Sequence, residues 1–168
     1  MPMHPDFDDL PEWEFTFRAD DESDTDRLGA ALAACLPDGA VVSLCGTLGA
    51  GKTRLVQAVA AACEVPRDQV VSPTFVLCHE YHGQRTLYHL DAYRLADSDE
   101  FLALGPEEFF AGPALTFIEW GDRVEDALPP EHWRIDILVT SDHGRRFDFR
   151  CRSKRDSAAF ERLQAMLS

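Results

Sequence analysis

Apolar residues along the chain recur with two periods, and each period marks a different kind of element. From Ser23, the run SDTDRLGAALAACL places Leu28, Ala31, Leu32 and Cys35 at helical spacing. Ser23 stands in the N-cap position, and Pro37-Asp38-Gly39 ends the helix. AVVSLCG (40–46) is a short continuous apolar run with β-branched residues, the pattern of a strand buried on both faces. KTRLVQAVAAACE (52–64) predicts an alanine-rich helix that stops before Pro66. FVLCHEY and TLYHLDAY, separated by HGQR, predict a hairpin. SDEFLALG and EEFF predict two short helices broken at Gly105-Pro106, and ALTFIEW (114–120) a further buried strand. DRVEDAL predicts a short helix before Pro129-Pro130. HWRIDILVT and RRFDFRC alternate and pair around SDHG, and SAAFERLQAML is a final amphipathic helix. There is no internal repeat and no low-complexity linker.

Helical and strand periods that alternate in this order predict an α/β domain. The strand, glycine turn and helix over residues 40–64 narrow this to a P-loop NTPase-like three-layer domain. Its central sheet is expected to be mostly parallel, with some antiparallel strands. At 168 residues the chain is expected to form one domain.

Charge alters the picture at one end only. The net charge is -14, but residues 1–26 hold ten of the 30 acids and a single base, Arg18. An acidic stretch with few aliphatic residues gains little from ordering. The reading therefore sets a flexible extension over residues 1–21 and the domain over 22–168. No basic patch is present, so direct tight binding of RNA or DNA is not expected. No run approaches the roughly 20 apolar residues of a membrane helix, and no signal-peptide pattern opens the chain, so a soluble cytoplasmic protein is expected. Five cysteines without a C-x-x-C pair predict buried reduced thiols. His79, His82 and His89 lack partners at ligand spacing, so no zinc site is expected from them.

Chemistry concentrates in Gly46-Thr47-Leu48-Gly49-Ala50-Gly51-Lys52-Thr53, which satisfies G-x-x-x-x-G-K-[ST] in full. The glycines let backbone N–H groups turn inward around a phosphate, and the following helix N-terminus adds partial positive charge. Lys52 is expected to reach the β- and γ-phosphates, and the Thr53 hydroxyl to ligate Mg²⁺. A second anchor for the metal should be an acid at the end of an apolar strand. Asp91, ending LYHLD, and Glu119, in LTFIEW, both qualify; Glu80 and Asp122 follow no long apolar run. Thr74, in SPTF, occupies the region where a switch threonine senses the γ-phosphate. The sequence contains no asparagine, so an N-K-x-D guanine reader is excluded and ATP is favoured. A small-molecule kinase and a nucleotide-gated interaction module with little turnover stay open at this point.

GTLGAGKT, VSPTF, LYHLDAYRL and FIEWGDRV, in this order and spacing, resemble the TsaE family, the small ATPase of bacterial tRNA threonylcarbamoyladenosine biosynthesis. The resemblance covers about residues 22–150. It implies an Mg²⁺-dependent ATPase, weak alone, that supports turnover by a TsaD–TsaB complex. It implies ATP on Gly46 to Thr53, metal on Thr53, Asp91 and Glu119, and a switch role for Thr74. Trp120 matches the aromatic beside the second acid, Thr25 a position near the base, and Arg145 or Arg146 a late nucleotide contact. The acidic N-terminal segment is additional to the family pattern, and HGRR fits its late region only loosely.

Overall fold

The computed structural model describes residues 12–73 and 77–168. Seven strands form one sheet: β1 Trp13–Ala19, β2 Val41–Cys45, β3 Cys78–His82, β4 Thr86–Asp91, β5 Leu115–Glu119, β6 Trp133–Val139 and β7 Arg145–Cys151. Their order across the sheet is β1-β7-β6-β2-β5-β4-β3. The central ladders β6–β2, β2–β5 and β5–β4 are parallel, while β4–β3, β6–β7 and β7–β1 are antiparallel. The expected α/β fold, mostly parallel at the centre with antiparallel flanks, is the fold observed.

Helices cover both faces. The helices α1 (Glu22–Cys35), α2 (Lys52–Ala62) and α5 (Ser157–Leu167) lie on one face. They pack Leu28, Leu32, Leu55, Val59, Phe160 and Leu163 against Leu44, Phe117, Ile135 and Phe149 of the sheet. On the other face, α3 (Ser98–Ala103), α4 (Glu107–Phe110) and a 3-10 segment (Gly121–Ala127) enclose a smaller core around Phe101, Ile118 and Val124. The three-layer expectation thus holds across β2, β5 and β4. Among the described residues, no helix is long and apolar enough to cross a membrane.

Three local expectations are corrected. The extension placed over residues 1–21 is cut short, because Trp13–Ala19 is an edge strand paired residue for residue with β7. Within the acidic stretch, Phe15, Phe17 and Ala19 alternate with Glu14, Thr16 and Arg18, so the apolar residues face the core. Phe15 stacks on Phe149 with ring centroids 4.4 Å apart. Next, α1 is capped by Asp21 rather than Ser23. One Asp21 carboxylate oxygen accepts the backbone N–H groups of Ser23 at 2.9 Å and Asp24 at 3.2 Å. Finally, DRVEDAL is 3-10 rather than α, kinked at Val124.

Candidate functional site

β2, β4 and β5 all deliver their C-terminal ends to one edge of the sheet. Leu44 pairs with Glu119 and Asp91 with Glu119, so the two carboxylates stand at the same height beside the strand that feeds the glycine loop. In open α/β sheets, ligands bind in the crevice outside these carboxyl ends.

The loop from Gly46 to Gly51 takes its path because glycine stands where it does. A Cβ on Gly46 would lie 2.7 Å from the Ile137 carbonyl oxygen, and Gly51 opens α2 at φ 113°, in the left-handed region. Leu48 is 81% exposed at the crest, while Ala50 is buried beneath. Lys52 and Thr53 form the first turn of α2. Lys52 is only 5% exposed, and its ammonium crosses back over the loop to donate to the Gly46 and Thr47 carbonyl oxygens at 2.6 and 2.9 Å. It also lies 3.9 Å above the Trp120 ring. Burial pushes the Lys52 amine below its ordinary value, and the charges of Glu119 and Asp91 oppose that shift.

Thr53 Oγ1 donates to Glu119 Oε1 at 2.5 Å. Asp91 accepts the Tyr93 backbone N–H at 2.8 Å and the Ser72 hydroxyl at 3.4 Å. A cleft of about 300 Å³ opens between the loop and these acids, with Tyr93, Ser72 and Arg54 also in its wall. One hydroxyl and two carboxylates are hard oxygen donors, and that set suits Mg²⁺, which keeps waters and phosphate oxygens as its other ligands. It does not make a cage of protein groups alone. Among the described residues, no group of three or more His, Cys, Asp or Glu side chains is arranged to hold an ion.

The structure gathers most of the residues that the sequence singled out. Leu48, Gly49, Gly51, Lys52, Thr53, Asp91, Glu119 and Trp120 line one cleft. Trp120 has φ 59°, the left-handed turn that ends β5, and packs against Tyr93 at 5.0 Å between ring centroids. Arg145 lies against the loop: its Nε donates to the Ala50 carbonyl at 2.7 Å, and its Nη1 donates to the Ser141 and Gly144 carbonyls. Its neighbour Arg146 projects to the opposite face and pairs with Asp148 at 3.0 Å. Thr25 is buried in α1 and does not reach the cleft wall. Thr74 lies outside the described residues.

Sequence reasoning missed His89. It is fully buried on β4, and its Nε2 lies 3.1 Å from Glu119 Oε1. The available signal was strand parity, since His89 and Asp91 are two residues apart and share a face. Arg54 and Tyr93 were also missed as cleft residues. Arg54 lines the cleft while its guanidinium pairs with Asp26 at 2.8 Å and Glu22 at 3.8 Å.

Comparison with known proteins gives the family and supports the fold. Residues 19–147 match the family model described as threonylcarbamoyl adenosine biosynthesis protein TsaE. The tRNA threonylcarbamoyladenosine biosynthesis protein TsaE of Treponema pallidum is 41% identical over 122 residues, 73% of this chain and 90% of that protein. The protein of the same name from Bacillus subtilis is 35% identical over 137 residues, 81% of this chain and 85% of its own length. The crystal structure of Bacillus subtilis YdiB superposes with a TM-score of 0.76 at 28% identity, covering 92% of this chain and 97% of that one. A family match spanning the loop, both acids and Trp120, with relatives aligned over most of their length, makes this chain a member of the TsaE family.

Proposed function

We propose that this protein is a Mg²⁺-dependent ATPase subunit in the biosynthesis of threonylcarbamoyladenosine, the modified adenosine beside the anticodon of tRNA. The observation that carries the reading is the bond from Thr53, at the start of α2, to Glu119, with Asp91 at the same height on the neighbouring strand. The names of the relatives supply the pathway.

In this reading the loop N–H groups and Lys52 hold the phosphates of ATP. Thr53, Glu119 and Asp91 would hold Mg²⁺, and the ion would supply positive charge against the phosphate oxygens. Lys52 must leave the Gly46 and Thr47 carbonyl oxygens to reach those phosphates. Glu119 serves as the acceptor that aims the Thr53 hydroxyl.

The cleft by itself is short of positive charge. Among the described residues, Arg54 is the arginine in its wall, and its Nη2 and Nε face Asp26 and Glu22. A slow ATPase completed by a partner follows, and a TsaD–TsaB-type complex is the partner this reading names. A residue supplied in trans accelerates other P-loop enzymes by about 10³ to 10⁵. With its net charge of -14, the chain acts on that assembly in the cytoplasm rather than by gripping tRNA itself.

The test is ATP hydrolysis by the purified chain with Mg²⁺, with and without its cognate TsaD–TsaB pair. Stimulation is expected, with Glu119→Ala losing hydrolysis while retaining nucleotide. Equal rates with and without the pair would sink the partner-completed reading. Stoichiometric phosphoryl transfer to a small acceptor would replace it with a kinase.

A further inference from the structure

The ring of His89 is 0% exposed, yet it does not sit among apolar neighbours alone. Its two nitrogens point along a line of polar groups. Nε2 is 3.1 Å from Glu119 Oε1, and Nδ1 is 3.5 Å from the Tyr81 hydroxyl. A carboxylate only accepts, so Nε2 carries the proton and donates it. Nδ1 is then an acceptor, and the single Tyr81 hydroxyl proton is shared between it and the Val71 carbonyl oxygen, each 3.5 Å away. The groups therefore run Val71, Tyr81, His89, Glu119, Thr53, from the segment before Thr74 to the first turn of α2.

Two details separate His89 from an ordinary satisfied core histidine. Glu119 Oε1 accepts from both His89 and Thr53, so the histidine shares the oxygen that orients the site hydroxyl. In addition, the same short segment reaches the other acid, because the Ser72 hydroxyl lies 3.4 Å from Asp91 Oδ2. Ser72 thus lies beside Asp91, and the Val71 carbonyl competes with His89 for the Tyr81 proton on the side of Glu119.

We propose that His89 is a positioning residue that fixes the Glu119 carboxylate for the metal, and that Tyr81 and His89 couple Glu119 to the segment at Val71. With Oε1 engaged from two sides, by the Thr53 hydroxyl and by His89, rotation of the Glu119 carboxylate is restrained. Outer partners that orient a ligand in this way are worth about 10- to 100-fold in metal affinity. The inference rests on the ATPase reading above and names the group that holds that site in shape.

The experiment is equilibrium binding of a non-hydrolysable ATP analogue to the full chain, in Mg²⁺ and in EDTA, for wild type, His89→Leu, His89→Gln and Tyr81→Phe. Thermal midpoints are recorded alongside. The wild type gains affinity with Mg²⁺. His89→Leu is expected to lose about tenfold of that gain while its affinity in EDTA stays within about twofold. His89→Gln, which keeps an N–H donor, recovers part of the gain, and Tyr81→Phe loses a smaller part. Equal losses in Mg²⁺ and EDTA, tracking a lowered thermal midpoint, would reduce His89 to a structural residue and overturn the inference. So would an unchanged Mg²⁺ gain in His89→Leu, or an unchanged gain in both milder variants should His89→Leu fail to fold. A wild type that binds no analogue in Mg²⁺ would instead overturn the ATPase reading, and this inference with it.

Discussion

The ammonium of Lys52 rests 3.9 Å above the ring of Trp120 while its hydrogens bond the Gly46 and Thr47 carbonyl oxygens. The amine is thus held over the loop by an aromatic face from the end of β5 and by the loop's own backbone. Cation–π contacts of this kind contribute about 0.5–2 kcal/mol.

Lys52→Ala should therefore weaken ATP binding by about 10- to 100-fold, the loss expected for charge-assisted bonds of about 1.5–3 kcal/mol. Trp120→Phe keeps an aromatic face and should stay within about threefold of wild type. Calorimetric titration with ATP and Mg²⁺ checks both, and an unweakened Lys52→Ala would remove the amine from the phosphate site.

Removal of β1 should be felt as lost stability. Phe17 is 5% exposed and Phe15 stacks on Phe149. Phe17→Ala should cost about 3–5 kcal/mol, as burying a large aromatic and then deleting it commonly does. Urea unfolding measures this; a cost under about 1 kcal/mol would mean that the strand contributes little to the core.

At the far end of the same core, the Trp133 indole N–H donates to Asp156 at 3.0 Å, and both side chains are buried. Asp156→Ala leaves that N–H without its partner and also removes the ion pair with Arg155. A loss of about 1–3 kcal/mol is expected from the unsatisfied donor. The thermal midpoint of Asp156→Asn, which keeps an acceptor, should fall less than that of Asp156→Ala.

The five thiols predict an alkaline limit to stability. Burial pushes Cys45, Cys78 and Cys151 up to about 11, and raises Cys35 and Cys63 above their ordinary value of 9.0. A raised folded value gives stability that is complete below the unfolded pKa and is lost as pH rises through the folded one. Lys52, depressed by burial, acts with the opposite sign but is a single group. The urea midpoint should hold to about pH 8–9 and fall by about pH 11. A Cys45→Ala variant should show a shallower fall.

Much of the site was legible because its chemistry depends on residues that are close together in the chain. The glycine spacing from Gly46 to Thr53 and the acids ending two apolar runs need no tertiary knowledge. Their meeting does, and it came from strand register: Asp91 opposite Glu119, and Glu119 beside Leu44. Other features were hidden for physical reasons. β1 was lost because charge averaged over the first twenty residues masked an alternation seven residues long. Asp21 and Ser23 are both good cap formers, and only the entry angle of the chain selects Asp21. Arg145 reaches Ala50 across 95 positions of sequence, and no local pattern announces such a contact. His89 looked like one more strand residue until the register placed Glu119 against it.

The edge strand has a consequence for life at high concentration. β7 is paired on both sides, to β6 and to β1, over all seven of its residues. Were β1 to peel away, β7 would offer a bare row of amides and carbonyls, a template on which another chain could pair. In place, β1 ends the sheet with exposed Glu14, Thr16 and Arg18, which discourage such pairing. A molecule that frays at this strand would aggregate while its cleft, at the centre of the sheet, was still intact.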